Sequence, residues 1–196
     1  MVITNSRISI LKTMLASPKE THTIRALSKN AKINYRQAYE EAIKMQKENI
    51  LSIAKQGNSS ICSINLQTDT ALYAYVESLR TRDFIKNSNK IQLVAKELEK
   101  ISTSFCTAIL FGSHAKGKAT KDSDIDILLV SKNPEETEQE ANSALSTLSY
   151  NTHISSVSEE SFNEMRQKKG LNVVNELEGN HIILAGFEDY CRLMAK

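Results

Sequence analysis

Residues 110–131, LFGSHAKGKATKDSDIDILLVS, decide how this chain is read. An apolar run over residues 105–111 meets a Gly-Ser turn, Gly112 and Ser113. A basic segment containing Gly117 follows. Asp124 and Asp126 then open a second apolar run, residues 125–130. In a strand alternate residues share a face, so the two carboxylates point the same way, about 7 Å apart. Like charges that close repel unless something positive lies between them, and the economical cation is a divalent metal. A Gly-Ser turn at a helix start offers backbone N–H groups to phosphate. Carboxylates for a metal beside a cradle for phosphate indicate nucleotide chemistry.

Gly112, Ser113, Gly117, Ser123, Asp124 and Asp126 together resemble the signature of the minimal nucleotidyltransferases of the polymerase-beta-like superfamily: GS, a short helix, G, then (S/T)D-x-D. The likeness is closest over this motif and looser across residues 102–196. It implies an α+β (α/β-like) domain, a mixed sheet with flanking helices. The activity it implies is Mg-dependent transfer of a nucleoside monophosphate from an NTP such as ATP to a protein or small-molecule hydroxyl. By the same resemblance, Gly112 and Ser113 would hold the β- and γ-phosphates, joined by Lys116, Gly117 and Ser123 as nucleotide-binding residues. Asp124 and Asp126 would be the catalytic carboxylates and would hold one or two Mg²⁺ (or Mn²⁺) ions. Lys118 and Lys121 could also neutralise phosphate, or simply face solvent, and His114 could touch the nucleotide. One departure stands out. The family adds a third carboxylate on a later strand, and here that strand, residues 152–157, reads THISSV and carries no acid. His153 or Ser155 could take the place. Glu159 and Glu160 fall at the next helix start, where acids favour the helix dipole.

The 196 residues suit one large domain or two small ones. No apolar run reaches the roughly 18 residues of a membrane span, and no signal peptide is evident. The three cysteines, Cys62, Cys106 and Cys191, are odd in number and widely spaced. They read as reduced thiols of a cytoplasmic protein. Net charge is asymmetric: +6 over residues 1–67 and −4 over residues 68–196. A basic front and an acidic back suggest two modules with different partners.

Residues 5–16 have helical spacing and stop at Ser17-Pro18. Thr23 precedes a short second helix, and Asn34 is placed to cap a third running to about Glu48. Its stripe is read as Ala38, Ala42, Ile43 and Met45 with Tyr35 and Tyr39. A hairpin follows, turning at Gln56-Gly57-Asn58-Ser59. Three helices and a hairpin give the layout of a winged helix-turn-helix over residues 1–67. In such a module the third helix enters the major groove, so Asn34, Tyr35, Arg36 and Gln37 are candidate DNA contacts. Arg36 and Gln37 can pair with base edges, while Lys44 and Lys55 can approach phosphates. Residues 68–101 read as a helical connector, with stripes of Leu72, Tyr75, Val76 and Leu79, then Ile91, Val94, Ala95, Leu98 and Ile101. Those stripes could also carry a homodimer interface.

Residues 134–196 read as helices alternating with two short strands, near residues 153–157 and 181–184, with helices on one face of the sheet. A helix over 172–178 is expected to stop at Gly179. Two functions compete. One is the metal-dependent nucleotidyltransferase coupled to a DNA-binding winged helix. The other is a DNA-binding transcriptional regulator whose nucleotidyltransferase-like domain senses a nucleotide with weak or absent catalysis. A third role, an antitoxin that modifies a partner toxin, is one some minimal nucleotidyltransferases play.

Overall fold

The computed structural model describes residues 3–101, 105–168, 170, 172–177 and 180–196. The domain boundary expected at residue 102 and the helix stop expected at Gly179 lie outside the described residues. The chain forms two compact units that divide after Val76.

In the first unit, α1 (Asn5–Ala16) is followed by β1 (His22–Thr23), α2 (Ile24–Asn30), α3 (Tyr35–Lys47) and the hairpin β2 (Leu51–Gln56) and β3 (Ser59–Ile64). The helix starts follow local chemistry. Thr4 Oγ1 accepts from Arg7 N at 3.1 Å, Thr23 Oγ1 from Ala26 N at 3.0 Å and Asn34 Oδ1 from Gln37 N at 2.9 Å. Each such cap is worth about 1 kcal/mol. The sheet runs β1-β3-β2, all antiparallel. Nothing in the sequence predicts β1: two residues give no periodicity, and pairing of His22 with Cys62 and Thr23 with Ile61 is what makes them a strand.

The phase of α3 corrects the sequence reading. Ala38, Glu41, Ala42 and Met45 are buried, whereas Tyr35 and Tyr39 are 53% and 46% exposed. Their rings stack on each other at 6.3 Å on the outer face. A carboxylate takes the inner place because Arg7 accompanies it. Buried Arg7 lies 3.5 Å from Glu41 and makes two bonds to Glu48, at 2.8 and 2.9 Å. The Glu48 bond holds the guanidinium pKa above its ordinary value and the Glu48 carboxyl below its own.

The division falls inside α4 (Thr70–Ile85). Its buried aromatic is Tyr73 rather than Tyr75, which is exposed. The Tyr73 hydroxyl donates to Asn65 O at 2.6 Å, so the whole ring can be withdrawn from water. Next come α5 (Asn89–Lys100), β4 (Thr107–Phe111), α6 (Gly112–Ala115), β5 (Ile125–Val130), α7 (Pro134–Leu145), β6 (Thr152–Val157), α8 (Glu159–Gln167), α9 (Val173–Glu176), β7 (Ile182–Ala185) and α10 (Phe187–Ala195). The second sheet has the order β6-β5-β4-β7 and is mixed: β5 and β6 are parallel, the other pairs antiparallel. Parallel neighbours need a crossover, which α7 supplies.

Ala108, Leu110, Ile125, Ile127, Leu129 and Ile154 pack with Ile91, Val94 and Leu98 of α5 and with Ala141 and Leu145 of α7. The inner side of α5 is therefore part of this core. Ile109, Leu128 and Ile183 point to the opposite face by alternation and are fully buried as well. Burial on both faces corrects the one-face expectation and explains why β5 reads as a nearly continuous apolar run.

His181 is buried between Leu177 O, at 2.9 Å from Nδ1, and the Tyr190 hydroxyl, at 2.7 Å from Nε2. A carbonyl only accepts, so Nδ1 carries the proton and Nε2 accepts from Tyr190. Burial, with Arg80 nearby, pushes the His181 pKa down to about 3. Below the ordinary pKa of about 6.5 the unfolded chain binds a proton that the folded one refuses. Stability of the second unit should therefore fall as pH drops from 6.5 toward 3, by up to about 1.4 kcal/mol per pH unit from this group. Urea midpoints at pH 7 and pH 5 measure it, and His181→Gln should flatten the slope. The free thiols are held as thiols: burial pushes Cys62 and Cys106 up to about 11 and Cys191 to about 12. Among the described residues no helix is long and apolar enough to cross a membrane.

Candidate functional site

Strand β4 ends at Phe111 and β5 begins at Ile125, so the 112–124 segment returns the chain at one end of the sheet. Register places Phe111 opposite Asp126, and Asp126 beside His153 on β6. These three positions lie on the face away from α5 and α7. Gly112 has φ +68°, and a Cβ there would collide with Asp126 Oδ2 and come within 3.0 Å of its Cγ. The carboxylate thus rests against the backbone of the Gly-Ser turn. That contact unites the two halves of the sequence motif.

Asp126 is 26% exposed, and Asp124, one residue ahead of the strand, is exposed. Ser113 and His114 are half-buried. Helix α6 closes through Lys116 N to Gly112 O at 3.2 Å, Gly117 N to His114 O at 3.1 Å and Lys118 N to Ser113 O at 2.9 Å. As at any helix start, the first-turn N–H groups have no intrahelical partner and are available to an acceptor. Lys116 and Gly117 are exposed beyond that turn.

Ser123 is held from several sides. Its Oγ accepts from Thr120 N at 2.8 Å. Its carbonyl accepts from Lys90 Nζ and faces His114 Nε2, each at 3.2 Å. The Lys90 ammonium also lies 5.2 Å from the centre of the Tyr150 ring. The serine hydroxyl therefore shapes the loop that presents Asp124. Sequence reasoning missed Lys90: it sits on a helix 33 residues upstream, and only packing of α5 under the sheet brings it here. Charge on the polar side of that helix was the only available signal.

His153, one of two alternatives for the third acidic position, is the one in register with Asp126; Ser155 pairs with Leu128. His153 Nδ1 lies 3.6 Å from Asp126 Oδ1 with the imidazole 71% exposed. Glu159 and Glu160 are in the first turn of α8, beyond the other end of β6. There the local backbone N–H and the Ser158 cap hold the Glu160 pKa down, as expected of helix-start acids. Among the described residues no three His, Cys, Asp or Glu side chains are grouped to hold a metal ion. Asp124 and Asp126 suit a hard divalent ion in donor chemistry, with phosphate or water oxygens completing its shell.

On the first unit, Asn34, Tyr35, Arg36, Gln37, Lys44 and Lys55 are all exposed. Asn34 is engaged as the α3 cap. Arg36, 88% exposed, bonds Glu40 at 2.8 Å, and Lys44 bonds Glu41 at 3.1 Å. A groove of about 310 Å³ runs between the start of α3 and the hairpin, lined by Arg25, Tyr35, Asn58 and Ser60 among others.

The family model of the nucleotidyltransferase domain matches residues 91–178. No curated protein matches the chain. A chain in a solved structure described as "Crystal structure of the toxin-antitoxin with AMP-PNP" is similar at 20% identity, with a TM-score of 0.34, covering 52% of this chain and 80% of that one.

Proposed function

We propose that the second unit is a metal-dependent nucleotidyltransferase, moving a nucleoside monophosphate from an NTP to a hydroxyl on a protein or small molecule as the α–β phosphoanhydride bond breaks and pyrophosphate leaves. The observation that carries this reading is the seating of Asp126 against Gly112, within the segment that matches the nucleotidyltransferase domain. The first-turn N–H groups of α6, with Ser113, receive the terminal phosphates, and Lys116 and Gly117 flank them. Asp124 and Asp126 hold Mg²⁺ or Mn²⁺. When bound, the ion offsets charge on the triphosphate and activates the attacking oxygen. The protein's own share is positioning: Lys90, His114 and Thr120 fix Ser123, and so the backbone leading into Asp124.

Label transfer tests it. The protein is incubated with α-labelled NTPs, Mg²⁺ or Mn²⁺ and host lysate, beside an Asp124→Asn, Asp126→Asn double variant. Transfer should fall by about 10²–10³-fold or more in the variant. Equal labelling by both proteins would sink the reading.

The first unit we read as a winged helix-turn-helix that binds DNA, supported by its net charge of +6 over residues 1–67 and the exposed start of α3. Arg36→Ala and Lys55→Ala should each weaken DNA binding, and each lost phosphate contact should lower the salt slope by about 1. Filter binding across a salt series reads both, and unchanged affinity would remove this face from the DNA role. The absence of an acid beside Asp126 on β6 favours a second reading, a cytoplasmic DNA-binding regulator that senses nucleotide without turnover. A nucleotide-dependent shift of DNA without label transfer would select it.

A further inference from the structure

The geometry points to His153 as a nitrogen ligand that joins Asp126 on the metal ion and turns the site's preference from Mg²⁺ toward Mn²⁺. The inference rests on the nucleotidyltransferase reading of the same site and goes beyond it by assigning the position left without an acid. Three observations carry it. Register sets His153 directly beside Asp126 on the parallel neighbour strand. Alternation puts both side chains on the face away from the α5–α7 core. And Nδ1 stands 3.6 Å from Oδ1, with most of the ring open to solvent.

That separation fits two donors on one ion. Ligands each about 2.1 Å from a metal lie about 3.0 Å apart at a right angle and about 3.4 Å apart at a tetrahedral angle. A shift of a few tenths of an ångström closes the observed pair to either value. Asp126 and His153 would take two positions, the exposed Asp124 a third on the nucleotidyltransferase reading, and the triphosphate and water the rest.

Ligand chemistry then sets the preference. Mg²⁺ demands oxygen donors and gives up its waters reluctantly, whereas imidazole suits first-row transition ions. Replacing a third carboxylate by a neutral ring also removes one negative charge. That weakens the grip on a hard ion most, because nothing covalent compensates.

The test measures binding by the full chain, first with Mn²⁺ alone and then with Mn²⁺ and a non-hydrolysable ATP analogue. Free Mn²⁺ is read by electron paramagnetic resonance, Mg²⁺ by competition, and nitrogen ligation by spin-echo modulation from ¹⁴N. His153→Ala should weaken Mn²⁺ by about tenfold or more, change Mg²⁺ by less than about twofold and abolish the ¹⁴N modulation. His153→Asp should restore preference for Mg²⁺. If Asp126→Asn loses Mn²⁺ while His153→Ala binds it as the parent does, the inference is overturned and the nucleotidyltransferase reading stands. If Asp124→Asn, Asp126→Asn and His153→Ala all bind as the parent does, the metal site itself is overturned and this inference with it.

Discussion

On the proposed metal site, a Gly112→Ala variant is expected to lose metal binding at Asp124 and Asp126 while the second unit still folds. Gly112 sits at φ +68°, a left-handed conformation costing an alanine about 1–2 kcal/mol. The larger consequence is local. The added methyl would occupy the space of Asp126 Oδ2 and press within 3.3 Å of the Asp126 Cβ. A side chain can swing away where a strand cannot, so the carboxylate moves. Mn²⁺ affinity should fall at least about tenfold, with a stability loss of about 1–3 kcal/mol by urea unfolding. Adding Asp126→Ala removes the colliding group. The double variant should regain part of the stability without regaining the metal, a non-additivity that reports the contact itself. Strictly additive losses would show that Asp126 is not what constrains residue 112.

Gly186→Ala is expected to cost more, because what it meets is backbone. A Cβ at Gly186 would collide with Cys106 O and lie 2.7 Å from Thr107 Cα and 2.8 Å from Cys106 C. Those atoms lead into β4, whose Ala108 pairs with Ala185 and whose Thr107 Oγ1 donates to Ala185 O at 3.0 Å. Relief means parting β4 from β7 or tilting α10, and the core depends on both. A loss beyond about 4 kcal/mol is expected, enough to leave the second unit unfolded or insoluble. Circular dichroism and soluble yield measure it, and an unfolding midpoint within a few degrees of the parent's would refute the close approach.

The parts of the fold legible in the sequence are those governed by short-range chemistry. Asn34 is readable as a cap because a cap bond spans three residues. Four of the five consecutive buried positions of β4, residues 108–111, are readable as an apolar run. Misreadings share a cause. A stripe that counts Tyr35 and Tyr39 as apolar misplaces them, since a tyrosine serves either side of a helix. The inner place at α3 goes to Glu41 because Arg7 can meet it. The two residues of β1 and the choice of Tyr73 over Tyr75 likewise depend on partners far along the chain: Cys62 and Ile61 for the strand, the Asn65 carbonyl for the ring.

That Gly112, Ser113, Asp124 and Asp126 belong to one strand–turn–strand unit follows from their order along the chain. Their spacing and the apolar runs on either side are local properties, and alternation along a strand needs no knowledge of the fold. What surrounds them follows from long-range pairing and packing instead. Pairing of β5 with β6 selects His153 over Ser155 as the neighbour of Asp126: the two share a face of β6, and only a two-residue change of register would exchange them. Packing of α5 brings Lys90 to the Ser123 carbonyl. Close approach of the turn to β5 makes position 112 a place for glycine alone.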